Sequence, residues 1–202
     1  MFSKFPGWLI MLLIISALYV TGLHKEVIGK IQGIFLHTQL IKPDLNNTFD
    51  SPSNPGEANL ARPSSLMAGK DFKMKSLTGE TITMESLYGK TVFFNIWATW
   101  CPPCIAEMPN IQKLYDKVNS EEIVFLMLTV DSDKEKPGKF IERKGYTFPV
   151  YFPDGPIPYE FTSDVIPTTF IISPEGKVVV KKEGMANYNT KEFIDFLKGM
   201  KP

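Results

Sequence analysis

The spacing of apolar side chains changes along the chain and divides it into four segments. Residues 8–23 (WLIMLLIISALYVTGL) carry no charge and are mostly apolar, whereas residues 25–41 place branched apolar side chains near helical spacing. Residues 42–67 show no period and are dense in Pro, Asn, Ser and Asp. From residue 70 onwards, short apolar runs alternate with amphipathic stretches, which is the pattern of an α/β domain with parallel strand pairing.

The first three segments predict a protein that is tethered to a membrane. Extended back to Phe5, the apolar run approaches the length of about 20 residues that a helix needs to cross a bilayer, so we assign residues 1–23 to a membrane-anchoring helix. A cleaved secretory signal is the alternative, because residues 20–22 (VTG) resemble a loose cleavage site. We favour the anchor because residues 24–41 predict a juxtamembrane amphipathic helix, although a helix packed on the folded domain has the same pattern. Residues 42–67 predict a flexible linker.

Residues 68–202 predict one folded domain, which begins with a hairpin and ends with a helix. A first hairpin is expected around Thr78-Gly79-Glu80, and another around Pro174-Glu175-Gly176. Two near-continuous apolar runs between them predict strands that are buried on both faces, and residues 154–159 (DGPIPY) predict an irregular loop. The expected strands are 71–77, 81–84, 91–97, 123–130, 147–152, 168–173 and 177–182, and the expected helices are 105–118, 134–144 and 191–200.

Charge and cysteine content exclude several classes of function. The chain has 22 Lys and Arg against 22 Asp and Glu, so there is no basic excess and we predict no nucleic-acid partner. Two cysteines, Cys101 and Cys104, are too few for a framework of several disulfides or for a zinc site built from cysteine alone. The two histidines, His24 and His37, lie far from this pair along the chain, so we predict no metal site.

The cysteine pair lies where a buried strand ends and a helix begins, which is the arrangement that dithiol/disulfide exchange requires. The N–H groups and the positive dipole end of the helix favour a thiolate on Cys101, which we place at the exposed start as the attacking thiol. Cys104 lies one turn further in and is expected to be more buried and to resolve the mixed disulfide. The alternative is an inert bridge that closes a turn, but the flanking Trp97 and Trp100 suggest the rim of a site.

Three motifs together resemble a known family. Residues 97–104 (WATWCPPC), 107–109 (EMP, with Pro109 expected to kink the helix) and 165–170 (VIPTTF) are similar to the TlpA/ResA-like branch of the thioredoxin superfamily, which consists of membrane-tethered bacterial thiol-disulfide oxidoreductases. The resemblance runs from about residue 71 to residue 197. It implies a thioredoxin-like α/β fold, with a central mixed sheet flanked by helices, an extra N-terminal β-hairpin and an inserted α/β segment between residues 131 and 165.

The resemblance also implies roles for residues outside the cysteine pair. Ile166 and Pro167 resemble the cis-proline turn that faces the cysteines and binds an extended substrate segment with Trp100; a trans proline that begins a strand is the alternative. Glu107 resembles an acidic residue that modulates proton transfer at the thiols, and a solvated helix charge is its alternative. Asn95 occupies the position of a buried acid in cytosolic thioredoxins, but it is uncharged, so we expect its amide to hold a neighbouring strand or loop.

These observations favour a thiol-disulfide oxidoreductase over two alternatives. No Gly-x-Gly-x-x-Gly fingerprint is present, so we predict no cofactor and expect electrons from a membrane thiol-electron donor. The resemblance implies a disulfide-bearing protein substrate, such as apocytochrome c, and a catalytic domain on the periplasmic side of the cell membrane. The alternatives are a thiol peroxidase of the related peroxiredoxin-like group and a metal or copper carrier that uses the thiol pair.

Overall fold

The fold is described from a computed structural model of the chain, for residues 7–20 and 69–200. A helix near the N-terminus precedes a domain of seven strands and three helices within these residues. The helices are α1 (Gly7–Val20), α2 (Pro102–Val118), α3 (Glu135–Lys144) and α4 (Lys191–Gly199), and the strands are β1 (Lys73–Ser76), β2 (Thr81–Thr83), β3 (Thr91–Trp97), β4 (Ile123–Thr129), β5 (Val150–Pro153), β6 (Thr168–Ile172) and β7 (Val178–Glu183).

The strands form one mixed sheet in the order β2-β1-β5-β4-β3-β6-β7. The pairs β3/β4 and β4/β5 are parallel, and the remaining neighbours are antiparallel. Strand β3 lies inside the sheet between β4 and β6, and all seven of its residues are buried. A strand covered on both faces needs apolar side chains on both faces, which explains its near-continuous apolar sequence.

The two faces of the sheet are covered differently. The chain steps from β3 to β4 to β5 in one direction across the sheet, so the right-handed crossovers place α2 and α3 on the same face. Helix α4 joins them there, in a core that includes Phe93, Phe125, Phe140 and Phe193. The opposite face is closed by side chains from the first hairpin, the turn after it and the loop before β6, which are Phe72, Met74, Met84, Leu87 and Phe161.

The predicted mixed sheet, its helices and the extra N-terminal hairpin are confirmed. Gly79 has a φ of 91° at the turn between β1 and β2, where glycine meets no steric penalty. The predicted strand over 147–152 begins later, at Val150, because the residues before it form the connection from α3. The predicted irregular loop at 154–159 is observed up to residue 158, and Tyr159–Phe161 form one 3₁₀ turn.

Helix α1 contains 14 uncharged residues, and several of its large apolar side chains are exposed, including Trp8 and Leu13. Within residues 7–20 and 69–200, no helix has both the length and the apolar character needed to span a bilayer. The predicted amphipathic helix at 24–41 and the predicted linker at 42–67 lie outside the described residues.

Candidate active site

The cysteine pair lies at the junction between β3 and α2, at one end of the sheet. Cys101 is the N-cap residue of α2, and Pro102 and Pro103 occupy the first turn, where a missing N–H costs no helical hydrogen bond. Cys101 and Cys104 form a disulfide bond with their Cα atoms 5.3 Å apart. The motif therefore closes its ring within one helical turn, so that exchange between dithiol and disulfide requires little movement of the backbone.

The N-terminus of helix α2 lies at the sulfur of Cys101. The backbone N–H of Cys104 donates to Cys101 Sγ over 3.3 Å. In the reduced protein, the same N–H and the positive end of the helix dipole favour a negative charge on this sulfur. The attacking role predicted for Cys101 therefore has a local physical basis.

Cys101 is more enclosed than the sequence pattern predicts. Cys104 is fully buried, as expected, but only 4% of Cys101 is exposed, so the prediction of an exposed Cys101 is wrong for the disulfide form. The turn before β6 packs over the sulfur and reduces its exposure. Trp100, which precedes Cys101 in the chain, is 52% exposed, whereas Trp97 is fully buried and packs on Phe140. The assignment of Trp97 to the rim is wrong because its side chain points into the core face of β3.

The turn that covers Cys101 contains the proline singled out from the sequence. The Ile166-Pro167 peptide bond is cis, and the carbonyl oxygen of Ile166 lies 3.6 Å from Cys101 Sγ. Because β6 pairs antiparallel with β3, the start of β6 lies beside the end of β3 and brings this turn to the cysteines. The backbone N–H of Gly184 donates to the Pro167 carbonyl oxygen over 2.8 Å and ties the turn to the end of β7.

Glu107 lies one turn after Cys104 and is 1% exposed, so it is not a solvated helix charge. Asn95 Nδ2 donates to its Oε1 over 2.8 Å, and the backbone N–H of Ala186 donates to its Oε2 over 3.2 Å. Burial raises the pKa of Glu107 to about 8, against the smaller lowering effects of these two donors and of the positive charge on Lys182. A carboxyl group with this pKa exchanges its proton near neutral pH.

Asn95 and Pro109 occupy different surroundings. Asn95 is fully buried on β3, and its amide bridges Glu107 and Thr169, the latter over 2.9 Å. Pro109 lies on the exposed side of α2, and the helix continues through it to Val118. Sequence reasoning identified both positions, but it did not identify the contact between Asn95 and Glu107.

Asp131 is a buried carboxylate at this end of the sheet that sequence reasoning missed. It accepts hydrogen bonds from the backbone N–H of Thr99 over 2.9 Å, and from the hydroxyl groups of Thr99 and Thr129, each over 2.6 Å. The carboxylate thereby joins the end of β4 to the loop that leads into Cys101. The available signal was that Thr99 and Asp131 each follow a predicted buried strand, at 91–97 and 123–130, because residues that follow adjacent parallel strands meet at one edge of the sheet.

We expect Asp131→Ala to slow disulfide reduction by about ten- to a hundredfold, because the loop before Cys101 loses its fixed position. Asp131→Asn is expected to retain most of the rate, since its oxygen still accepts from the Thr99 N–H and the Thr99 hydroxyl can turn to accept from the amide. Single-turnover kinetics of the reduced chain measure the effect, and Asp133→Ala, at an exposed position nearby, is the matched control. An unchanged rate in Asp131→Ala would contradict this role.

Comparisons with known proteins agree with the geometry of the site. Residues 67–181 match the model of the AhpC/TSA family. The thiol-disulfide oxidoreductase ResA of Halalkalibacterium halodurans is 32% identical over 130 residues, which cover 63% of this chain and 74% of the relative. The ResA protein of Bacillus thuringiensis is 34% identical over 142 residues, which cover 68% of this chain and 80% of the relative.

Solved structures share the fold. StoA from Bacillus subtilis is 25% identical, with a TM-score of 0.54, and the match covers 68% of this chain and 100% of StoA. A thiol:disulfide interchange protein of the thioredoxin family from Chlorobium tepidum is 24% identical, with a TM-score of 0.59, over 70% of this chain and 99% of that chain. The second likeness shows the fold alone.

Proposed function

The chain belongs to the AhpC/TSA family and is a ResA-like thiol-disulfide oxidoreductase, and we propose that it reduces disulfide bonds of proteins outside the cytoplasm. The observation that carries the proposal is the position of Cys101 Sγ, which accepts the Cys104 N–H and lies 3.6 Å from the Ile166 carbonyl oxygen. A thiolate in this position is stabilised by the helix start and lies beside a backbone edge suited to an extended substrate segment.

The first step is attack by the Cys101 thiolate on a substrate disulfide. The substrate S–S bond breaks, a mixed disulfide forms between Cys101 and one substrate sulfur, and the other substrate sulfur leaves as a thiolate that takes up a proton. We propose that Trp100, Ile166 and Pro167 bind the substrate segment that carries this disulfide. Trp100 directly precedes Cys101 and is 52% exposed, and the Ile166 carbonyl oxygen lies 3.6 Å from Cys101 Sγ.

The second step is resolution by Cys104. Its thiol loses a proton, its sulfur attacks Cys101 Sγ, and the mixed disulfide breaks to release the second substrate thiol. We propose that Glu107 accepts the Cys104 proton, because the two residues are three apart on one helix and face the same side. A pKa of about 8 makes Glu107 a base of suitable strength for a thiol with an ordinary pKa of about 8.5.

The product is the disulfide form of Cys101 and Cys104, which must be reduced again before the next cycle. We propose that a membrane thiol-electron donor supplies the two electrons by the same exchange chemistry, with no bound cofactor on this chain. We also propose that residues 1–23 hold the chain in the cell membrane, with the catalytic domain on the periplasmic side. The uncharged sequence of α1 and its exposed apolar side chains support membrane attachment.

Deleting residues 1–23 is expected to move the protein from the membrane fraction to the soluble fraction. The full chain should resist extraction with alkaline carbonate, because its apolar segment is held by the bilayer rather than by charge. Immunoblotting of the fractions measures the change, and deletion of residues 42–67 is the control that shortens the chain without removing the apolar segment. A full chain found only in the soluble fraction would rule the anchor out.

The substrate proposal is tested by trapping in cells. Cys104→Ser removes the resolving sulfur, so the mixed disulfide between Cys101 and the physiological substrate should accumulate. Purification without reductant, followed by mass spectrometry, identifies the attached protein, and we expect apocytochrome c or another secreted protein with paired cysteines. The double variant Cys101→Ser/Cys104→Ser controls for adventitious binding. Recovery of cytoplasmic proteins alone would contradict the proposed location and substrate.

The thiol peroxidase alternative is favoured by one observation, the match to the AhpC/TSA family model. Against it, a second sulfur lies already bonded to Cys101, so the pair is organised for dithiol exchange. Peroxide consumption and disulfide reduction measured on the same purified chain separate the two activities. The metal or copper carrier remains an untested alternative, and copper(I) binding that survives a competing chelator is the result that would favour it.

A further inference from the structure

The Asn95 amide is positioned between two acceptors beneath the cysteine pair. Its two N–H groups donate to Glu107 Oε1 and to Thr169 Oγ1, over 2.8 Å and 2.9 Å. Thr169 is the direct partner of Asn95 across the β3/β6 pair, and Lys182 is the next partner across β6/β7. The three side chains therefore share the face of the sheet on which α2 packs, which explains why they surround Glu107.

The other end of the amide is left without a partner. Asn95 Oδ1 is buried and accepts no hydrogen bond from any residue in the described part of the chain. A buried carbonyl oxygen without a donor costs free energy, so an amide that only connects two elements is expected to be paired at both ends. The side-chain hydrogen bonds of Asn95 are instead all made by its two N–H groups, of which one donates to the Glu107 carboxyl group and the other to Thr169 Oγ1.

The remaining groups around Glu107 do not replace this donor. The backbone N–H of Ala186 binds the second carboxyl oxygen at a longer distance, and half-buried Lys182 acts only through its charge. Tyr188 is buried nearby, where burial and then the Glu107 charge hold the pKa of its hydroxyl well above the ordinary value. The cysteines lie on the same helix as Glu107. Asn95 is thus the one side chain in the described residues that donates a hydrogen bond to this carboxyl group.

We propose that Asn95 is a positioning residue, which orients the Glu107 carboxyl group and stabilises its ionised form for the proton transfer that accompanies resolution by Cys104. This inference rests on the proposed function. An amide suits the task because it stabilises a carboxylate without adding a charge of its own. A carboxylate at residue 95 would repel Glu107 and favour the protonated acid.

The direct test is a titration of Glu107 that is monitored by difference infrared spectroscopy. The sample is the full-length protein in its disulfide form. The carbonyl stretch of a protonated carboxylic acid reports the proton, and Glu107→Gln identifies the band because the variant lacks it. In the wild type we expect a midpoint near pH 8. In Asn95→Ala we expect the midpoint to rise by about one pH unit or more. Burial raises the pKa of Glu107, and the variant lacks one of the hydrogen-bond donors that lower it.

One further variant keeps the test decisive if Asn95→Ala does not fold, and a second is the control. Thr169→Val preserves the shape of the side chain but removes the acceptor that holds the amide in place, so the midpoint should rise by a smaller amount in the same direction. Gln112→Ala removes a half-buried amide on the same helix, where it binds Asp116 and Thr147, and should leave the midpoint unchanged.

The resolving step is measured beside the titration. A mixed disulfide formed on Cys101 with a small aromatic thiol releases that thiol when Cys104 attacks, and the pH profile of release should move upward with the Glu107 midpoint. An unchanged midpoint in Asn95→Ala, or in Thr169→Val where Asn95→Ala does not fold, would overturn the role of Asn95. Because the infrared midpoint needs no turnover, it separates this outcome from failure of the proposed function, in which the wild type itself reduces no disulfide.

Discussion

Replacing Cys101 with serine is expected to lower the rate of protein-disulfide reduction by at least about 10³-fold. A serine hydroxyl is not ionised near neutral pH, and the helix start that stabilises a thiolate cannot compensate for the missing sulfur nucleophile. The environment of Cys101 would otherwise remain, since the Cys104 N–H still meets an oxygen acceptor at the N-cap position. The measurement is single-turnover cleavage of a disulfide-bonded reporter peptide by the pre-reduced full chain.

Cys104→Ser is the matched control, because it removes the other sulfur of the same ring. This variant should form the mixed disulfide at a rate close to that of the wild type but should fail to release the second substrate thiol. The two serine variants therefore differ at the first step, although both lack full turnover. Wild-type cleavage by Cys101→Ser would contradict the assignment of the attacking sulfur.

The second large effect concerns stability, and it follows from the burial of Glu107. The pKa of this carboxyl group is about 8 in the folded protein against an ordinary value of 4.5, so the folded state binds its proton more tightly than the unfolded state does. The stabilisation that this provides is fully present below pH 4.5. It declines as pH rises from 4.5 to about 8 and then levels off, with a total loss of about 5 kcal/mol.

Glu107→Gln should lack this decline, because its amide has no proton to lose in that range. The variant carries a constant penalty, since its NH₂ group cannot accept from the Ala186 N–H, so the comparison depends on slopes and not on absolute stability. Urea unfolding of the disulfide form at several pH values measures the free energy of unfolding. Glu121→Gln, at an exposed position after α2, is the control for general effects of charge. Parallel pH profiles of stability for the wild type and Glu107→Gln would contradict the ionisation of a buried Glu107 carboxyl group.

The sequence was sufficient for the architecture because the relevant signals are local. The apolar run at 91–97 predicts a strand covered on both faces, and the helix that begins after Cys101 follows from two prolines suited to a first turn. Both elements are observed. The disulfide exchange chemistry is likewise a property of a short segment, so it could be recognised before the fold was known.

One error concerns the face of a strand, and the other concerns a contact between segments that are distant in the chain. Trp97 was assigned to the rim because it lies near the cysteines in sequence, but strand alternation places it on the core face with Phe93 and Asn95. The low exposure of Cys101 depends on the turn at Ile166, which is 65 residues away. The motif at residues 165–170 predicts a turn that faces the cysteines, but it does not show how closely this turn covers Cys101. The Ala186 N–H on Glu107 has no sequence signal of its own. Both contacts depend on how loops meet at the end of the sheet.

The reactivity of each sulfur in the reduced protein tests the central claim most directly. Brief alkylation with iodoacetamide at a series of pH values, followed by peptide mass mapping, gives the rate at Cys101 and at Cys104 separately. We predict that Cys101 reacts first, and already near neutral pH, because the helix start stabilises its thiolate, whereas buried Cys104 reacts only at higher pH. Faster alkylation of Cys104, or a Cys101 that stays unreactive through neutral pH, would contradict the proposed exchange chemistry.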